Sequence, residues 1–474
     1  MNKFLRYPLV ALAAAALLVF TPVLPARAIF DSLTIEKEKQ LGEEFFLLIQ
    51  QAVPLIGDPF IGSYFNRLGQ KIVAQLGPQP FKYRFFIIDD PTVNAFAVPG
   101  GYIFVHSGLI HMMEREGELA GVLAHEVSHI YARHMAKTLE KAKVANIATL
   151  VGALAGIFLG GVGGAVLSQT MAVGSMAAGS SAMLAYGREF EREADSLGFK
   201  WMVKAGYNPR DMVTIFKKMN RQRWFQGGKI PVYLSTHPDI DSRMVDLANQ
   251  LSFNMDKLPK GEDSPDFAFF TTRMEALTGN ANQLLRRMTQ DGLREPQNPV
   301  CPYGKALALA KLERPEEAIK AFQEAQKLAP GNDLIQRDLA TYYFQRNRYQ
   351  DALKLLEGLA RRHPQDDVTL FYLGRIYQER HQNDQALALF EKVQKLNPAF
   401  TEVYLNLGTV YGEKKQLGPA HYYLGFYSLR TKALPTALFH FQKAAKNLSP
   451  ADPRYGEVKR QIARLEKMRV RVRN

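Results

Sequence analysis

The sequence predicts an α+β domain, in which a long helix packs on a small sheet, followed by an α-helical solenoid of repeated helix pairs. Three observations predict it. A cluster of β-branched and aromatic residues between positions 82 and 105 is interrupted by Asp89-Asp90-Pro91 and Pro99-Gly100-Gly101, the punctuation of short strands. An amphipathic stretch rich in Leu, Ala and Glu runs from about Glu114 to Lys137. From Ala306 onward, small and large apolar residues return every 34 positions. With 474 residues the chain also exceeds what one hydrophobic core usually supports, so two domains are expected.

At the N-terminus, Lys3 and Arg6 precede an uncharged apolar run from Tyr7 to Leu24 and then Pro25-Ala26-Arg27-Ala28, an A-x-A cleavage pattern. These regions in this order predict a secretory signal peptide cleaved after Ala28. Pro22 and the shortness of the run argue against an uncleaved membrane anchor. Removing residues 1–28 takes away Lys3, Arg6 and Arg27 and no acid, so the formal charge falls from +14 to +11. So basic a chain suits contact with anionic surfaces. The single cysteine, Cys301, excludes an intrachain disulfide framework and a Cys-rich zinc module, leaving His and carboxylates as the plentiful metal ligands. Cys301 itself reads as a buried residue without a chemical role.

Two helical apolar patterns follow between Thr34 and Leu76, one around Phe45-Phe46-Leu47-Leu48 and one around Phe60, Ile61, Tyr64, Phe65 and Leu68. Lys82 to Ile88, Asn94 to Val98 and Tyr102 to Val105 then read as a small sheet ending in a hairpin. After the helix at 114–137 comes a segment, Val144 to Gly187, with no Asp, Glu, Lys or Arg. Its part from Ile147 to Leu167 is long enough to span a bilayer, but six glycines weaken it as a helix, and a lid or a membrane-touching loop is expected. Charges return at Arg188, opening a helix to about Ala205. The first domain is thereby bounded at 29–265, with a helical linker at 266–298 and the repeats at 299–474.

In the repeats, Ala318, Ala352, Ala386 and Ala420 keep the 34-residue period, as do Pro330, Pro364 and Pro398. Twelve residues before each alanine stands a small residue (Ala306, Ala340, Gly374, Gly408), and four after it a large apolar one (Phe322, Leu356, Phe390, Leu424). Small residues let two antiparallel helices approach; the large ones fill the gap between neighbouring pairs. The pattern resembles the tetratricopeptide repeat, best at Leu373-Gly374-Arg375-Ile376-Tyr377 through Pro398. A last unit, Gly425 to Ala437, starts only 17 residues after its predecessor, so one helix there is expected to serve two pairs.

The chemistry concentrates in His125-Glu126-Val127-Ser128-His129, an H-E-x-x-H motif inside the predicted helix. At this spacing both imidazoles leave one helical face and can bind one zinc ion, while Glu126 can reach a water beside it and take its proton. Uncharged flanks at Val122-Leu123-Ala124 and Ile130-Tyr131 suit a buried helix. Zinc needs a third protein ligand. Arg188 to Asp195 supplies candidates, with Glu191 and Asp195 on one face at i and i+4; Glu189, Arg192 and Glu193 read as an exposed charged face.

H-E-x-x-H followed by E-x-x-x-D, and preceded by Asn94-Ala95-Phe96-Ala97 and Gly100-Gly101, resembles the HtpX-like and prenyl-protease metallopeptidase family over roughly residues 40 to 250. The resemblance implies a zincin-like metalloprotease domain with one zinc, Glu191 as third ligand and Asp195 as a group orienting a ligand histidine. It also implies that Asn94 to Val98 is an edge on which extended substrate pairs by β-augmentation. His237, in Leu234-Ser235-Thr236-His237-Pro238 with Arg243 six residues on, would by itself be read as a turn or surface residue. The resemblance makes it a fourth ligand that displaces the catalytic water, with oxyanion donation as the alternative. His106, His111 and His134 have no such support and read as structural or exposed.

The expected function is a periplasmic zinc metalloendopeptidase acting on misfolded or stalled outer-membrane proteins. The repeats would dock unfolded substrates or envelope partners, such as the outer-membrane β-barrel assembly machinery, with chaperone-like activity. The alternatives are a chaperone or scaffold with little proteolysis, and a membrane-embedded protease using residues 144–187. The basic end (Lys459, Arg460, Arg464, Lys467, Arg469, Arg471, Arg473) would add attraction to an acidic surface and peripheral membrane contact, and no nucleic acid is expected as partner.

Overall fold

The computed structural model describes residues 33–141, 147–158, 187–225, 231–253 and 258–473. The expected signal peptide, and most of the uncharged segment, lie outside the described residues. The chain divides into two compact units, one of residues up to Ile56 with Tyr64–Ser264, the other of Gly57–Ser63 with Pro265–Asn474.

The first unit holds α1 (Ile35–Ala52) and, from Tyr64 onward, α2 (Pro59–Val73), then β1 (Arg84–Ile88), β2 (Ala95–Val98) and β3 (Tyr102–His106). Strand order is β1-β3-β2: β1 runs parallel to β3, and β2 pairs antiparallel with it. The hairpin β2–β3 turns through Gly100 and Gly101, at φ 90° and 100°, a region that β-carbons disfavour. An aromatic row crosses the sheet, with Phe86 5.4 Å and Phe96 5.1 Å from Phe104, and Phe45 of α1 meets the latter two edge-on. Gly42 permits this approach, since a Cβ there would stand 2.3 Å from the Pro99 carbonyl oxygen.

Beyond α3 (Ser107–Ile110) lies α4 (Glu116–Tyr131), buried on every side from Glu116 to Ile130, as befits a helix enclosed by the domain. The single helix expected over 114–137 is in fact two. Arg133 adopts φ 56°, and α5 (His134–Lys141) leaves in a new direction. Tertiary contacts accompany the turn: the Arg133 guanidinium donates to buried Glu38 at 2.7 Å and to the Leu33 carbonyl, which periodicity cannot reveal. The described part of the uncharged segment is α6 (Ile147–Phe158), whose Phe158 stacks on Phe96 at 4.4 Å. Among the described residues no helix is long and apolar enough to cross a membrane. The unit is completed by α7 (Arg188–Lys204), α8 (Arg210–Phe225), the short α9 (Val232–Thr236) and α10 (Ile240–Phe253).

In the second unit, α11 (Pro265–Thr278) and α12 (Ala281–Arg294) fill most of 266–298 and precede the repeats. These are α13 (Val300–Lys311), α14 (Pro315–Leu328), α15 (Asp333–Gln345), α16 (Tyr349–Arg362), α17 (Asp367–Glu379), α18 (Asn383–Leu396), α19 (Thr401–Glu413), α20 (Leu417–Arg430) and α21 (Leu434–Asn447), before the basic α22 (Tyr455–Arg473). The 34-residue period appears in the backbone itself: Glu313, Asn347, His381 and Lys415 all have φ between 56° and 58°. Lys432, 17 residues after Lys415, repeats the turn at φ 62°, and α20 packs against both α19 and α21. Small-against-large packing is direct, for a Cβ on Gly374 would stand 2.6 Å from the Phe390 ring and one on Gly408 2.7 Å from Leu424. Cys301 is buried.

Candidate metal centre

His125 and His129 sit one turn apart on α4, so both rings leave the same face, and their Nε2 atoms are 3.0 Å apart. Helix α7 reaches them because Gly198 has no side chain; a Cβ there would stand 3.3 Å from the backbone nitrogen of His125. From α7, Glu191 directs Oε1 to within 3.4 Å of His129 Nε2 and Oε2 to within 3.5 Å of His125 Nε2. His237, at the C-cap of α9, brings Nδ1 to 3.0 Å from Glu191 Oε1 and 3.3 Å from His125 Nε2. One donor atom from each of these four buried residues lies within 4.8 Å of every other.

Around this cluster the supporting groups are equally defined. Asp195, one turn beyond Glu191, lies with Oδ1 2.8 Å from His125 Nδ1. Arg243 of α10, almost wholly buried, donates from Nε and Nη2 to the two Asp195 oxygens at 2.7 and 2.8 Å, and its Nη1 is 2.5 Å from Glu191 Oε2. Nη1 also donates to the His237 carbonyl oxygen at 3.4 Å. Glu126 points Oε1 to 3.7 Å from His237 Nε2, and neither of its oxygens accepts a hydrogen bond among the described residues.

Burial by itself would raise Glu191, but Arg243 and His237 outweigh it and hold its carboxyl well below the usual range. Burial, aided by neighbouring His125, pushes His129 well below its usual value. Burial would likewise lower His125, but hydrogen bonds to Asp195 and Glu191 overcome it and push the imidazole up to about 9, so a metal must displace that proton. Glu126 is pushed above its ordinary value by burial, only partly opposed by His237 and His125. This donor set fits a divalent cation. Imidazole nitrogens and a carboxylate are zinc-type ligands, and three buried carboxyl groups, Glu126, Glu191 and Asp195, stand against the one guanidinium of Arg243.

The structure brings together His125, Glu126, His129, Glu191, Asp195 and His237, all singled out from the sequence. Three partners escaped sequence reasoning. His134 is fully buried, with Nδ1 3.0 Å from His129 Nδ1 and Nε2 3.0 Å from Glu193 Oε2. Glu193, though half exposed, thus has a buried partner. Arg243 was seen only as a neighbour of His237 in the chain. The spacing of His134, five residues after His129, would have been the one available signal. His106 pairs instead with Thr92 and Asp90, and His111 is exposed.

The profile of peptidase family M48 matches residues 63–251, and two tetratricopeptide-repeat profiles match residues 309–369 and 369–399. Over 317 residues the chain is 31% identical to the beta-barrel assembly-enhancing protease of Escherichia coli strain K12, covering 66% of this chain and 63% of that protein. The Yersinia pestis protein of the same name is 29% identical, with 64% and 62% covered. The mitochondrial metalloendopeptidase OMA1 of Schizosaccharomyces pombe is 28% identical over 221 residues, covering 45% of this chain and 61% of its own length. The chain spans less than two thirds of the length of these relatives.

Proposed function

Starting from a chain that joins a peptidase family M48 domain to tetratricopeptide repeats, we propose a periplasmic zinc metalloendopeptidase that hydrolyses peptide bonds in misfolded or stalled outer-membrane proteins. The observation that carries the reading is the convergence of His125, His129 and Glu191 beside a buried Glu126 whose oxygens no described residue occupies. His125, His129 and Glu191 would hold the zinc, with His237 as a fourth ligand. Bound there, the ion supplies Lewis acidity toward a water and a peptide carbonyl.

The chain's own residues do the rest. Glu126, made more basic by burial, takes the proton of the attacking water and returns it to the leaving amine. Asp195 fixes the ring of His125 through Nδ1, and Arg243 fixes Asp195 and Glu191 together. Strand β2 is one of the two outer strands of the sheet, and a small cavity is lined by its Ala97 and Val98 together with His129. Extended substrate pairing there would gain main-chain hydrogen bonds with little sequence preference. The repeats would present partners or unfolded substrates, in keeping with the beta-barrel assembly that the names of the bacterial relatives mention.

A second reading, a chaperone with latent proteolysis, is favoured by the position of His237 inside the ligand cluster. One experiment separates them: purified protein, assayed for zinc content and for cleavage of an unfolded outer-membrane protein, beside Glu126→Gln. Cleavage that disappears in Glu126→Gln while zinc stays bound supports the protease. Undiminished cleavage in that variant would reject the proposed base. No cleavage by the zinc-loaded wild-type protein or by His237→Ala would favour the chaperone.

A further inference from the structure

We propose that His134 and Glu193 are positioning residues that fix the ring and tautomer of His129, so that its Nε2 is held toward the metal. The inference rests on the metal-centre reading above and adds to it two residues outside the ligand set.

The argument is one of proton placement. For His129 to offer Nε2 as a lone-pair donor, its ring proton must sit on Nδ1. That Nδ1 lies 3.0 Å from His134 Nδ1, which must therefore accept, leaving the proton of His134 on Nε2. His134 Nε2 in turn faces Glu193 Oε2 at 3.0 Å, a carboxylate able only to accept when ionised. With a neutral His134 and an ionised Glu193 the chain Glu193, His134, His129 runs in one direction alone, and that direction leaves the His129 Nε2 lone pair toward Glu191 and His125. His125 has the simpler version of the same support, with Asp195 directly on its Nδ1. Both ligand histidines of α4 thus end on a carboxylate of α7, one at once and one through an intervening imidazole.

The fold is built to deliver this contact. In a continuous helix, residue 134 would point about 140° away from residue 129. The turn at Arg133, with φ 56°, breaks the helix and returns His134 beneath His129, ring centroids 5.0 Å apart. The other face of His134 is fixed by Phe190, stacked at 4.5 Å and 11°. Phe190 precedes Glu191 on α7, so one helix supplies a ligand, both carboxylates and the ring that clamps His134.

The test measures metal affinity and release without relying on turnover. Full-length protein, stripped by a chelator and titrated with zinc against a competing fluorescent chelator, is compared with His134→Phe, His134→Asn and Glu193→Gln. His134→Phe keeps a flat buried ring but no acceptor, and is expected to bind zinc about 10- to 100-fold more weakly and to release it faster. His134→Asn can place its amide oxygen near the former Nδ1, and is expected to recover most of that loss. Glu193→Gln should fall between wild type and His134→Phe. Melting of the stripped proteins gives the control, and it is expected to change little. Wild-type affinity in His134→Phe would overturn the proposal. So would equal weakening in the Phe and Asn variants that tracks a lowered melting temperature, because that marks a packing role alone. Failure of the wild-type protein to bind zinc would instead overturn the metal-centre reading.

Discussion

Arg243 grips Asp195 with two parallel hydrogen bonds, 2.7 and 2.8 Å long, in a site from which solvent is almost fully excluded. Its third nitrogen lies beside Glu191, so one guanidinium compensates two buried carboxylates. Removing one partner of such a group leaves charge buried and unpaired, at a cost of about 3–5 kcal/mol. Arg243→Met is therefore expected to destabilise the metal-stripped protein by that order. Added zinc should restore part of the loss by supplying positive charge to Glu191. Arg243→Lys, which keeps the charge but not the fork, should fall between. Denaturant unfolding with and without zinc measures both; equal stability of Arg243→Met and wild type without metal would show that the guanidinium is not needed for charge balance.

A second expectation concerns the repeats. Gly374 faces the fully buried ring of Phe390 so closely that any β-carbon requires displacement. Gly374→Val should over-pack this pair, with a loss of about 1–3 kcal/mol. The effect should be local to the second unit. Hydrogen exchange should rise in α17 and α18 while zinc affinity stays that of wild type, and unchanged protection there would mean that the pair can relax.

These two sites differ in how far the sequence revealed them. The Gly374–Phe390 pairing was legible because a 34-residue period repeats the same small and large residues, and each repetition is an independent sample of one packing rule. His125, Glu126 and His129 were legible because helical spacing alone puts them on adjacent positions of one face. Glu191 and Asp195 could be narrowed to one helix, but choosing between them needed a family resemblance. The turn at Arg133 left no periodic trace: Ala132 and Arg133 are ordinary helix residues, and the partner that holds the Arg133 guanidinium at the turn, Glu38, is 95 positions away. His134, read as structural or exposed, gave no sign of its place beside His129, since that contact exists only after the turn.

Glu126 gives the most direct chemical test. Both its oxygens are buried, and burial raises its basicity, the properties wanted in a general base near neutral pH. Glu126→Gln keeps size and the metal ligands but cannot accept the proton. It should lower kcat by about 10²- to 10⁴-fold while zinc content stays at one per chain. Loss of zinc in this variant would move Glu126 into the ligand set, and retention of full turnover would remove it from the mechanism.

The sharpest expectation concerns His237, because two roles for it predict changes of opposite sign. Its Nδ1 lies among the ligand atoms while its Nε2 faces Glu126, so the ring fills the space between the base and the metal ligands. As a fourth ligand it would exclude the water that Glu126 is proposed to deprotonate, and turnover would require the segment after α9 to move. The Arg243 contact to the His237 carbonyl oxygen at 3.4 Å supplies a long, weak hold that substrate or partner binding could exchange for others. His237→Ala should then raise cleavage of an unfolded substrate and promote self-cleavage, with zinc still bound through His125, His129 and Glu191. If His237 instead donates to the oxyanion, the same substitution should cost about 2.7–4 kcal/mol of transition-state stabilisation, a fall in kcat of about 10²- to 10³-fold. Single-turnover rates of wild type and His237→Ala at matched zinc content decide the matter, and a marked fall would refute the latch.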